Sequence, residues 1–446
     1  MQSQSSWTAL FPPLTLMYAA SMLREAGHEV SLVDAIAQER SIEQVLAHAE
    51  AFHPELLVLN TAFPSIHGDM GFARACAERV RGLRSVAVGV VPTVMAREIL
   101  VAYPWVDFIV LGEPERALVA LAGRLQRGEQ VDGLRALGWR VDGEIQVSDQ
   151  HDYSDDLDAL PLPDRDTLPP HLYRFPLTDE PLTMISFARG CPYSCIYCLA
   201  PLYYGKKYRR RSAESMLAEM RVCVERHRIR AFIFWGELVS MHPDHLHALC
   251  DGILASGMDV LWMAAARADQ LDEALVRKMR SSGCHMVTLG LESASQEVLD
   301  RSRKALSLED CVRGIGLLRD AGIKVMGHFV IGLPGETEET ARATRDFAKK
   351  HCDYAQFYCA VPYPGTELAE MAAREGWLSP VDWAQYDFMR GLIDREGMSG
   401  QRMEELRRKA FLEFYMRPQV VWDNLRQMKW QAVVRRLSFK EWVLGR

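Results

Sequence analysis

Along the first 125 residues, stretches in which apolar residues have helical spacing alternate with short, continuous apolar runs. An apolar run of helical spacing begins after Pro12 and Pro13, covers residues 14–26 and stops at Gly27, a residue type that often follows a helix. Short apolar runs bounded by turn residues then occur at 30–34, 56–60, 85–89 and 108–112, as is typical of buried parallel strands. The pattern predicts an open, parallel-sheet, Rossmann-like α/β domain with a ligand crevice at the C-terminal strand ends.

A second series of strand and helix patterns covers residues 181–370. Its strand candidates are residues 184–187, 231–235, 260–263, 286–289, 325–331 and 354–358, and helical stretches such as 212–226 and 308–320 separate them. Six strands with intervening helices predict a partial (β/α)6 barrel, in which chemistry lies at the C-terminal ends of the strands.

The regions outside these two series have a different character. Residues 155–166 are acidic and rich in proline, which indicates an extended linker within 136–180. Residues 371–446 look helical and are rich in Trp and Arg. We therefore expect a first domain at 1–135, a linker at 136–180, a barrel at 181–370 and a helical C-terminal region at 371–446.

Composition and charge narrow the class of protein. The chain has 446 residues, of which 48% are hydrophobic and 25% charged, with a net charge of -7. This balance predicts a soluble globular protein with no general attraction to nucleic acid. The sequence shows no long apolar run for a membrane span and no secretion signal, and most of its ten cysteines are scattered singly. We expect a reduced, cytoplasmic location.

Three cysteines, Cys191, Cys195 and Cys198, are clustered directly after the first barrel strand. A closed zinc site or a simple electron-transfer cluster needs four protein ligands. Three soft ligands suit a [4Fe-4S] cluster whose fourth iron stays open to bind a small molecule. The alternative is a zinc knuckle that lacks its fourth ligand.

The C-x3-C-x2-C spacing, its place after the first strand and the aromatic residue before the last cysteine resemble the radical S-adenosylmethionine (SAM) superfamily. The resemblance covers roughly residues 180–365. It implies that the three cysteines hold a [4Fe-4S] cluster whose open iron chelates SAM. It also implies that Tyr197 lies near the adenine.

Four further strand ends carry motifs that resemble those of the same superfamily. Gly236 and Glu237 end the second strand, although Trp235 replaces a glycine that the family often has there. Arg267 follows the third strand, and Glu292 lies in a Gly-x-Glu-Ser motif at the end of the fourth. The resemblance implies that these residues and Gly332, after the fifth strand, contact SAM. The alternatives are a loop carboxylate, a surface arginine and a tight turn.

Other barrel residues leave their roles open. The segment 362–367 resembles the Pro-x-Pro-Gly-Thr-x-Leu segment that closes many such barrels. His328, Tyr358 and Cys359 face either the cavity or the core, because the strand register is not fixed by the sequence.

The N-terminal domain resembles the cobalamin-binding domain that is fused to many radical SAM enzymes. The resemblance rests on the segments 11–30, 89–93 and 106–115. It implies that strand-end loops line the corrin, with contacts from Asn60, Thr61, Phe63, Gly89, Thr93, Gly112 and Glu113. The chain lacks the family's Asp-x-His-x-x-Gly motif, so we expect cobalamin without a histidine ligand. The family's first strand is also missing before Pro12, and a diverged domain without cofactor is the alternative.

Three functions remain open. The resemblance implies first a cobalamin-dependent methyltransferase that acts on an unactivated carbon through a 5'-deoxyadenosyl radical and methylcobalamin. The second hypothesis is a radical SAM enzyme that forms or rearranges a ring without methyl transfer. The third is a cluster-carrying sensor or binding protein. The substrate is expected to be a small molecule, or a lipid-like or tetrapyrrole-like compound.

Two basic segments suggest partners. A basic run follows the cysteine loop and either attracts an acidic substrate, docks flavodoxin or ferredoxin, or is a solvated loop. It consists of Lys206, Lys207, Arg209, Arg210 and Arg211. Residues 426–446 predict a basic amphipathic helix that lies on an anionic membrane surface or packs on the protein itself.

Overall fold

Two compact units make up the structure, which is a computed structural model and describes residues 10–168, 170–175, 179–378, 381–418 and 420–422. The first unit holds the chain up to Tyr173 together with two later segments, Leu199–Arg209 and Trp383–Gln385. The second unit holds Arg174–Cys198, Arg210–Asp382 and the residues from Tyr386 onward. The predicted helix at 426–446 lies outside the described residues.

The first unit has a five-stranded sheet in the order β1-β2-β3-β4-β5. Its strands are β1 (Leu56–Asn60), β2 (Arg84–Val88), β3 (Phe108–Val110), β4 (Leu137–Val141) and β5 (Glu144–Val147). Its helices are α1 (Leu14–Glu25), α2 (Ile42–Phe52), α3 (Ile66–Arg79), α4 (Val90–Val94), α5 (Ala96–Ala102), α6 (Pro114–Gln126) and α7 (Ala200–Tyr204). Strands β1 to β3 are parallel, as the sequence predicted, and the hairpin β4-β5 adds two antiparallel strands, so the sheet is mixed.

The predicted strand at residues 30–34 is wrong, because the structure assigns no strand there. Its backbone and side-chain groups are instead bonded to side chains: Arg24 donates to the Val30 carbonyl at 2.7 Å, and the Tyr173 hydroxyl donates to Asp34 at 2.9 Å. A parallel strand needs a neighbouring strand to complete its hydrogen bonds. In the described part of the sheet β1 pairs with β2 alone, so this segment has no ladder to join.

The second unit is built on a six-stranded parallel sheet in the order β13-β12-β11-β10-β9-β6. Its strands are β6 (Leu182–Ser186), β9 (Ala231–Trp235), β10 (Leu261–Ala266), β11 (Cys284–Glu292), β12 (Lys324–Ile331) and β13 (Tyr354–Cys359). Two short strands, β7 (Ala188–Arg189) and β8 (Arg209–Arg210), precede and follow the cysteine loop. All six predicted barrel strands are confirmed, and neighbours in the chain are neighbours in the sheet, as a partial barrel requires.

Helices separate these strands in the second unit. They are α8 (Ala213–Glu225), α9 (Pro243–Ser256), α10 (Glu273–Ser281), α11 (Gln296–Arg301), α12 (Leu308–Asp320), α13 (Glu338–His351), α14 (Glu367–Arg374) and α15 (Gly400–Tyr415). Side-chain caps fix several of their starts: Ser212, Asp272 and Ser307 accept backbone N–H groups from the first helical turn. Among the described helices none is long and apolar enough to span a bilayer.

The register of β12 and β13 decides which side chains face the inside of the sheet. Burial alternates along β12, where Phe329 is fully buried and its neighbour His328 is only partly buried. On β13, Cys359 is on the buried side, and Tyr358 is partly buried. The rings of His328 and Tyr358 meet edge to face at 5.5 Å. These two residues therefore share the more open face, while Cys359 belongs to the core.

Candidate functional site

The cysteine loop of the second unit is fixed by one apolar residue between its thiols. Ile196 is 2% exposed and lies in the core. Its amide donates to the Ser302 carbonyl at 3.2 Å, and its carbonyl accepts from the Leu368 amide at 2.9 Å. The Cys198 amide bonds to the Cys195 carbonyl at 3.2 Å and closes a turn. The loop is thus tethered on both sides while Cys195 and Cys198 stay partly exposed.

The donor chemistry of the three thiols fits an iron–sulfur cluster, which cysteine thiolates hold. No three His, Cys, Asp or Glu side chains within the described ranges converge closely enough to hold one ion. In an iron–sulfur cluster each thiolate binds a different iron, so the thiols need not converge. Burial raises the pKa of the Cys191 thiol, and the charges of Cys195 and Glu237 raise it further, whereas Lys304 lowers it. Glu237 and Lys304 therefore belong to the surroundings of the thiols.

Glu292 is the most constrained residue of the site. It is not a glycine, yet its φ is 61°, and a bulge between Gly290 and Glu292 interrupts the pairing of β11 with β12. Such a left-handed conformation costs free energy and tends to occur at functional positions. Its carboxylate accepts a hydrogen bond from the buried Lys304 ammonium at 2.8 Å. A Cβ at Gly290 would lie 2.8 Å from the Glu292 carboxylate and 2.9 Å from Lys304 Nζ, so glycine leaves room for this pair.

The negative charge of Glu292 affects the pKa values of two other residues, Tyr197 and His328. Burial raises the pKa of Tyr197 well above its usual value, and the negative charge of Glu292 adds to that effect. Burial lowers the pKa of His328, although Glu292 opposes this, so the imidazole is neutral near pH 7. The structure thus brings Tyr197, predicted from the cysteine motif, together with Glu292, predicted from a strand end 95 residues later.

Arg267 is buried and already bonded within the protein. Its guanidinium binds the Asp269 carboxylate through two N–H groups at 3.0 and 2.9 Å. It also donates to the carbonyls of Lys304 at 3.1 Å and Ala305 at 2.5 Å. The guanidinium stacks over the Tyr193 ring at 3.9 Å. These partners use most of its donors, so Arg267 holds the loop that carries Lys304.

The remaining predicted SAM residues lie where the backbone is closely packed. A Cβ at Gly236 would stand 3.0 Å from the Ala188 backbone. Gly332 has a φ of 101°, and its amide donates to the buried Glu336 carboxylate. The Gly332 and Leu333 carbonyls accept from Arg395 at 3.2 and 3.1 Å. Glycine is favoured at Gly332 by its positive φ and by the nearby Met403 side chain, whereas at Gly236 a Cβ would press against the Ala188 backbone.

In the first unit the predicted cobalamin residues converge at the C-terminal strand ends. The Thr93 hydroxyl donates to the Gly89 carbonyl at 2.7 Å and accepts from the Gly112 amide at 2.9 Å. A Cβ at Gly89 would lie 2.7 Å from the Asn60 side-chain oxygen. The other three predicted residues, Thr61, Phe63 and Glu113, are buried. The ends of β1, β2 and β3 thus form one connected set of loops, which is where an open α/β sheet binds its ligand.

Family models match both regions of the chain. Residues 185–348 match the radical SAM superfamily, and residues 7–122 match the B12 binding domain. The chain is a radical SAM enzyme with an N-terminal B12-binding domain. Its cofactors are a [4Fe-4S] cluster, SAM and cobalamin, as the sequence predicted.

Relatives of this radical SAM enzyme extend over nearly the whole chain. An uncharacterized methyltransferase of Pyrococcus horikoshii is 29% identical over 92% of this chain and 89% of its own length. The anaerobic magnesium-protoporphyrin IX monomethyl ester cyclase of Rubrivivax gelatinosus is 27% identical, over 91% of this chain and 75% of its own. The structure of the radical SAM methyltransferase TsrM from Kitasatospora setae, with cobalamin and cluster bound, is 19% identical, with a TM-score of 0.71. That match covers 87% of this chain and 80% of TsrM and supports the fold.

Sequence reasoning missed three neighbours of the candidate SAM residues. Lys304 binds Glu292, whereas Asp269 and Tyr193 contact Arg267. Tyr193 lies between two of the clustered cysteines, but the spacing of that motif does not indicate the contact. The sequence also suggested more exposed basic residues after the cysteines than the structure has. Arg209 and Arg211 are buried in ion pairs with Glu113 and Glu219, so Lys206, Lys207 and Arg210 are the basic residues of that run that are exposed.

Proposed function

We propose that this chain transfers a methyl group from SAM to an unactivated carbon of a small-molecule, lipid-like or tetrapyrrole-like substrate. The observation that carries the proposal is the presence in one chain of a three-thiol radical SAM site and a B12-binding domain with converging strand-end loops. The Pyrococcus horikoshii relative, which is named a methyltransferase, supports it over nearly the full length. When bound, the three cofactors supply a reducing electron, a methyl donor that also gives a carbon-centred oxidant, and a methyl carrier.

The residues of the second unit bind and orient in this proposal. Cys191, Cys195 and Cys198 would hold the cluster, which would supply the reducing electron, and the three thiols are one fewer than a closed cluster needs. Glu292 and Lys304 present a negative and a positive group side by side, which matches the ammonium and carboxylate of SAM. Glu237 is a second acceptor near the thiols, since its charge acts on Cys191.

Aromatic and glycine residues complete the proposed SAM site. Tyr197 flanks the adenine, while Gly236 and Gly332 allow the backbone to approach the nucleoside closely. Arg267 contributes indirectly because its guanidinium fixes the carbonyls of Lys304 and Ala305. The open inner face with His328 and Tyr358 is left for the substrate.

The residues of the first unit hold cobalamin in this proposal. Asn60, Thr61 and Phe63 follow β1, Gly89 and Thr93 follow β2, and Gly112 and Glu113 follow β3. The Thr93 hydroxyl ties the second of these loops to the third, so the loops keep a fixed separation. These loops would hold cobalamin, which would carry the methyl group, and the sequence offers no Asp-x-His-x-x-Gly motif.

An electron donor such as flavodoxin or ferredoxin would reduce the cluster. The exposed Lys206, Lys207 and Arg210 lie close in sequence to Cys198 and match an acidic partner. Raising the salt concentration should slow reduction by flavodoxin but leave reduction by dithionite unchanged.

A single-turnover assay tests methyl transfer without the true substrate. The anaerobically reconstituted protein is reduced with cobalamin bound and mixed with SAM, and S-adenosylhomocysteine and 5'-deoxyadenosine are quantified. We expect S-adenosylhomocysteine in an amount that approaches the bound cobalamin. A variant with Cys191, Cys195 and Cys198 changed to Ala should lose 5'-deoxyadenosine. S-adenosylhomocysteine at background level would contradict methyl transfer.

The second candidate is ring formation or rearrangement without methyl transfer. The similarity to the Rubrivivax gelatinosus cyclase over 91% of this chain favours it. This function predicts 5'-deoxyadenosine without S-adenosylhomocysteine in the same assay. A sensor or binding protein would produce neither compound under strong reductant.

A further inference from the structure

The segment that directly follows the last cluster cysteine belongs to the first unit. Leu199–Arg209 begins one residue after Cys198 and packs with the B12-binding domain. Within it α7 lies against α4, the short helix that contains Thr93. The segment that packs on the proposed cobalamin loops therefore begins at the residue that follows Cys198 in the sequence.

The contact is closest at Gly112. A Cβ at this position would lie 3.0 Å from the Tyr203 carbonyl and 3.1 Å from the Tyr153 ring. A Cβ at Gly205 would lie 2.9 Å from the same ring. Glycine at both positions thus allows three backbone segments to pack without a gap, and Gly112 is also the residue whose amide binds Thr93.

A buried ion pair fixes this contact. The side chains of Arg209 and Glu113 are each 2% exposed and are bonded to one another. Arg209 also donates to the carbonyls of Ser154 and Tyr204, both at 2.7 Å, and stacks on the Tyr153 ring at 5.1 Å. The second oxygen of Glu113 accepts from the Ser154 amide at 3.2 Å.

Such a pair restricts geometry because both charges are removed from water. A buried charge that loses its partner is strongly destabilising, whereas replacing both charges by apolar groups is often tolerated. The Arg209 guanidinium therefore keeps its hydrogen bonds only while the Tyr204 and Ser154 carbonyls and the Glu113 carboxylate stay in position. This set includes a residue of the proposed corrin-lining loop and a residue six positions after Cys198.

We propose that Arg209 and Glu113 are positioning residues that lock the segment following the cluster cysteines onto the cobalamin-binding loop. Retention of cobalamin then depends on this ion pair. This inference rests on the proposed cobalamin site and goes beyond it: Glu113 belongs to a loop that would hold cobalamin, but its carboxylate binds Arg209 and the Ser154 amide, so it acts by fixing that loop.

The test compares cobalamin binding in three variants of the full-length, cluster-reconstituted protein. Arg209→Met, Glu113→Gln and the double variant Arg209→Met/Glu113→Met are incubated with hydroxocobalamin, and its dissociation constant is measured on the folded fraction. We expect a loss of affinity of about tenfold or more, the usual cost of removing a group that orients a ligand-binding residue.

Two neighbouring ion pairs provide matched controls. Lys207 pairs with Asp155 on the surface, with side chains 73% and 78% exposed, so Lys207→Met should leave cobalamin affinity unchanged. Arg211 pairs with the buried Glu219 in the second unit, so Arg211→Met should lower stability but not cobalamin affinity in the folded fraction.

The double variant separates positioning from simple structural support. Removing both charges should restore folding stability, but it cannot restore the bonds to the Ser154 and Tyr204 carbonyls, so cobalamin affinity should stay low. If cobalamin affinity returns together with stability, or if Arg209→Met binds cobalamin normally, the positioning role is overturned and the proposed function stands. A wild-type chain that binds no cobalamin overturns both.

Discussion

The ammonium nitrogen of Lys304 lies 2.8 Å from a carboxylate oxygen of Glu292, and both side chains are almost completely buried. Glu292 ends a barrel strand in a left-handed conformation, and Lys304 stands on a loop 12 residues later. The pair satisfies two charges that would each be costly to bury alone. In the proposed SAM site these two charges would face the carboxylate and the ammonium of SAM.

Removing one member of this pair should destabilise the second unit. Lys304→Met leaves the Glu292 carboxylate buried without its partner, a change that typically costs about 3–5 kcal/mol. Arg303 Nη1 lies 2.7 Å from a carboxylate oxygen of Glu367, but both side chains are exposed. Arg303→Met should therefore lower the free energy of unfolding by only roughly 0–1 kcal/mol. Urea-induced unfolding of the reduced protein measures both values. Equal losses of unfolding free energy in the two variants would show that burial does not raise the cost of breaking the Lys304–Glu292 pair.

Arg267→Lys should weaken SAM binding through a loss of structure. Lysine cannot bind Asp269 through two N–H groups and also reach the carbonyls of Lys304 and Ala305. Each buried carbonyl left without a donor costs about 1–3 kcal/mol, so the unfolding free energy should fall together with SAM affinity. The exposed Arg230, paired with Asp259, is the control, and Arg230→Lys should change neither quantity.

The same experiment distinguishes two roles of Arg267. Isothermal titration with SAM and thermal unfolding are measured on the same preparation. If Arg267→Lys weakens SAM binding while the unfolding temperature stays at the wild-type value, the guanidinium contacts SAM itself.

Gly89→Ala should lower cobalamin binding. Gly89 has φ 114° and ψ -173°, a region that is essentially restricted to glycine and costs on the order of 1–3 kcal/mol for other residues. Its new Cβ would also displace the Asn60 side chain. Gly82 has a φ of 78° with nothing within 4 Å, so Gly82→Ala tests positive φ without the contact. Gel filtration with hydroxocobalamin should show loss of cofactor for Gly89→Ala and retention for Gly82→Ala.

The buried Glu336 should make stability depend on pH between about 5 and 8. Burial raises its pKa from 4.5 to about 8, although the Gly332 amide and Arg395 act against this. The folded protein therefore holds a proton that the unfolded chain releases above pH 4.5, so stability falls as pH rises through this window. The fall attributable to Glu336 should be on the order of a few kcal/mol.

Glu336→Gln should remove this part of the pH dependence, because the amide is neutral and its oxygen still accepts from the Gly332 amide. Glu338, two residues later, is the control: hydrogen bonds from Arg402 and Arg342 lower its pKa to about 2. Its contribution is lost only at acidic pH, so Glu338→Gln should keep the wild-type slope between pH 5 and 8. Unfolding temperatures across this range decide the matter, and an unchanged slope in Glu336→Gln would contradict the assignment.

Barrel strands and cluster ligands were accessible from the sequence because their signals are local. The continuous apolar run 231–235 indicates a buried strand, and the spacing of Cys191, Cys195 and Cys198 requires no tertiary information. The residues 30–34 have the same apolar character but form no strand, because a strand also needs a partner that the run itself cannot specify.

The sequence by itself determined the two α/β domains, their cofactor families and the residues at the strand ends, since these follow from period and motif. Only the tertiary structure decided three contacts. Lys304 forms an ion pair with Glu292, and Arg267 donates hydrogen bonds to Asp269 and to backbone carbonyls. Arg209 forms an ion pair with Glu113, 96 residues earlier in the chain. The physical reason is that an ion pair depends on distance and burial. Neither quantity is encoded at one position, because both are set when loops from distant parts of the chain pack together.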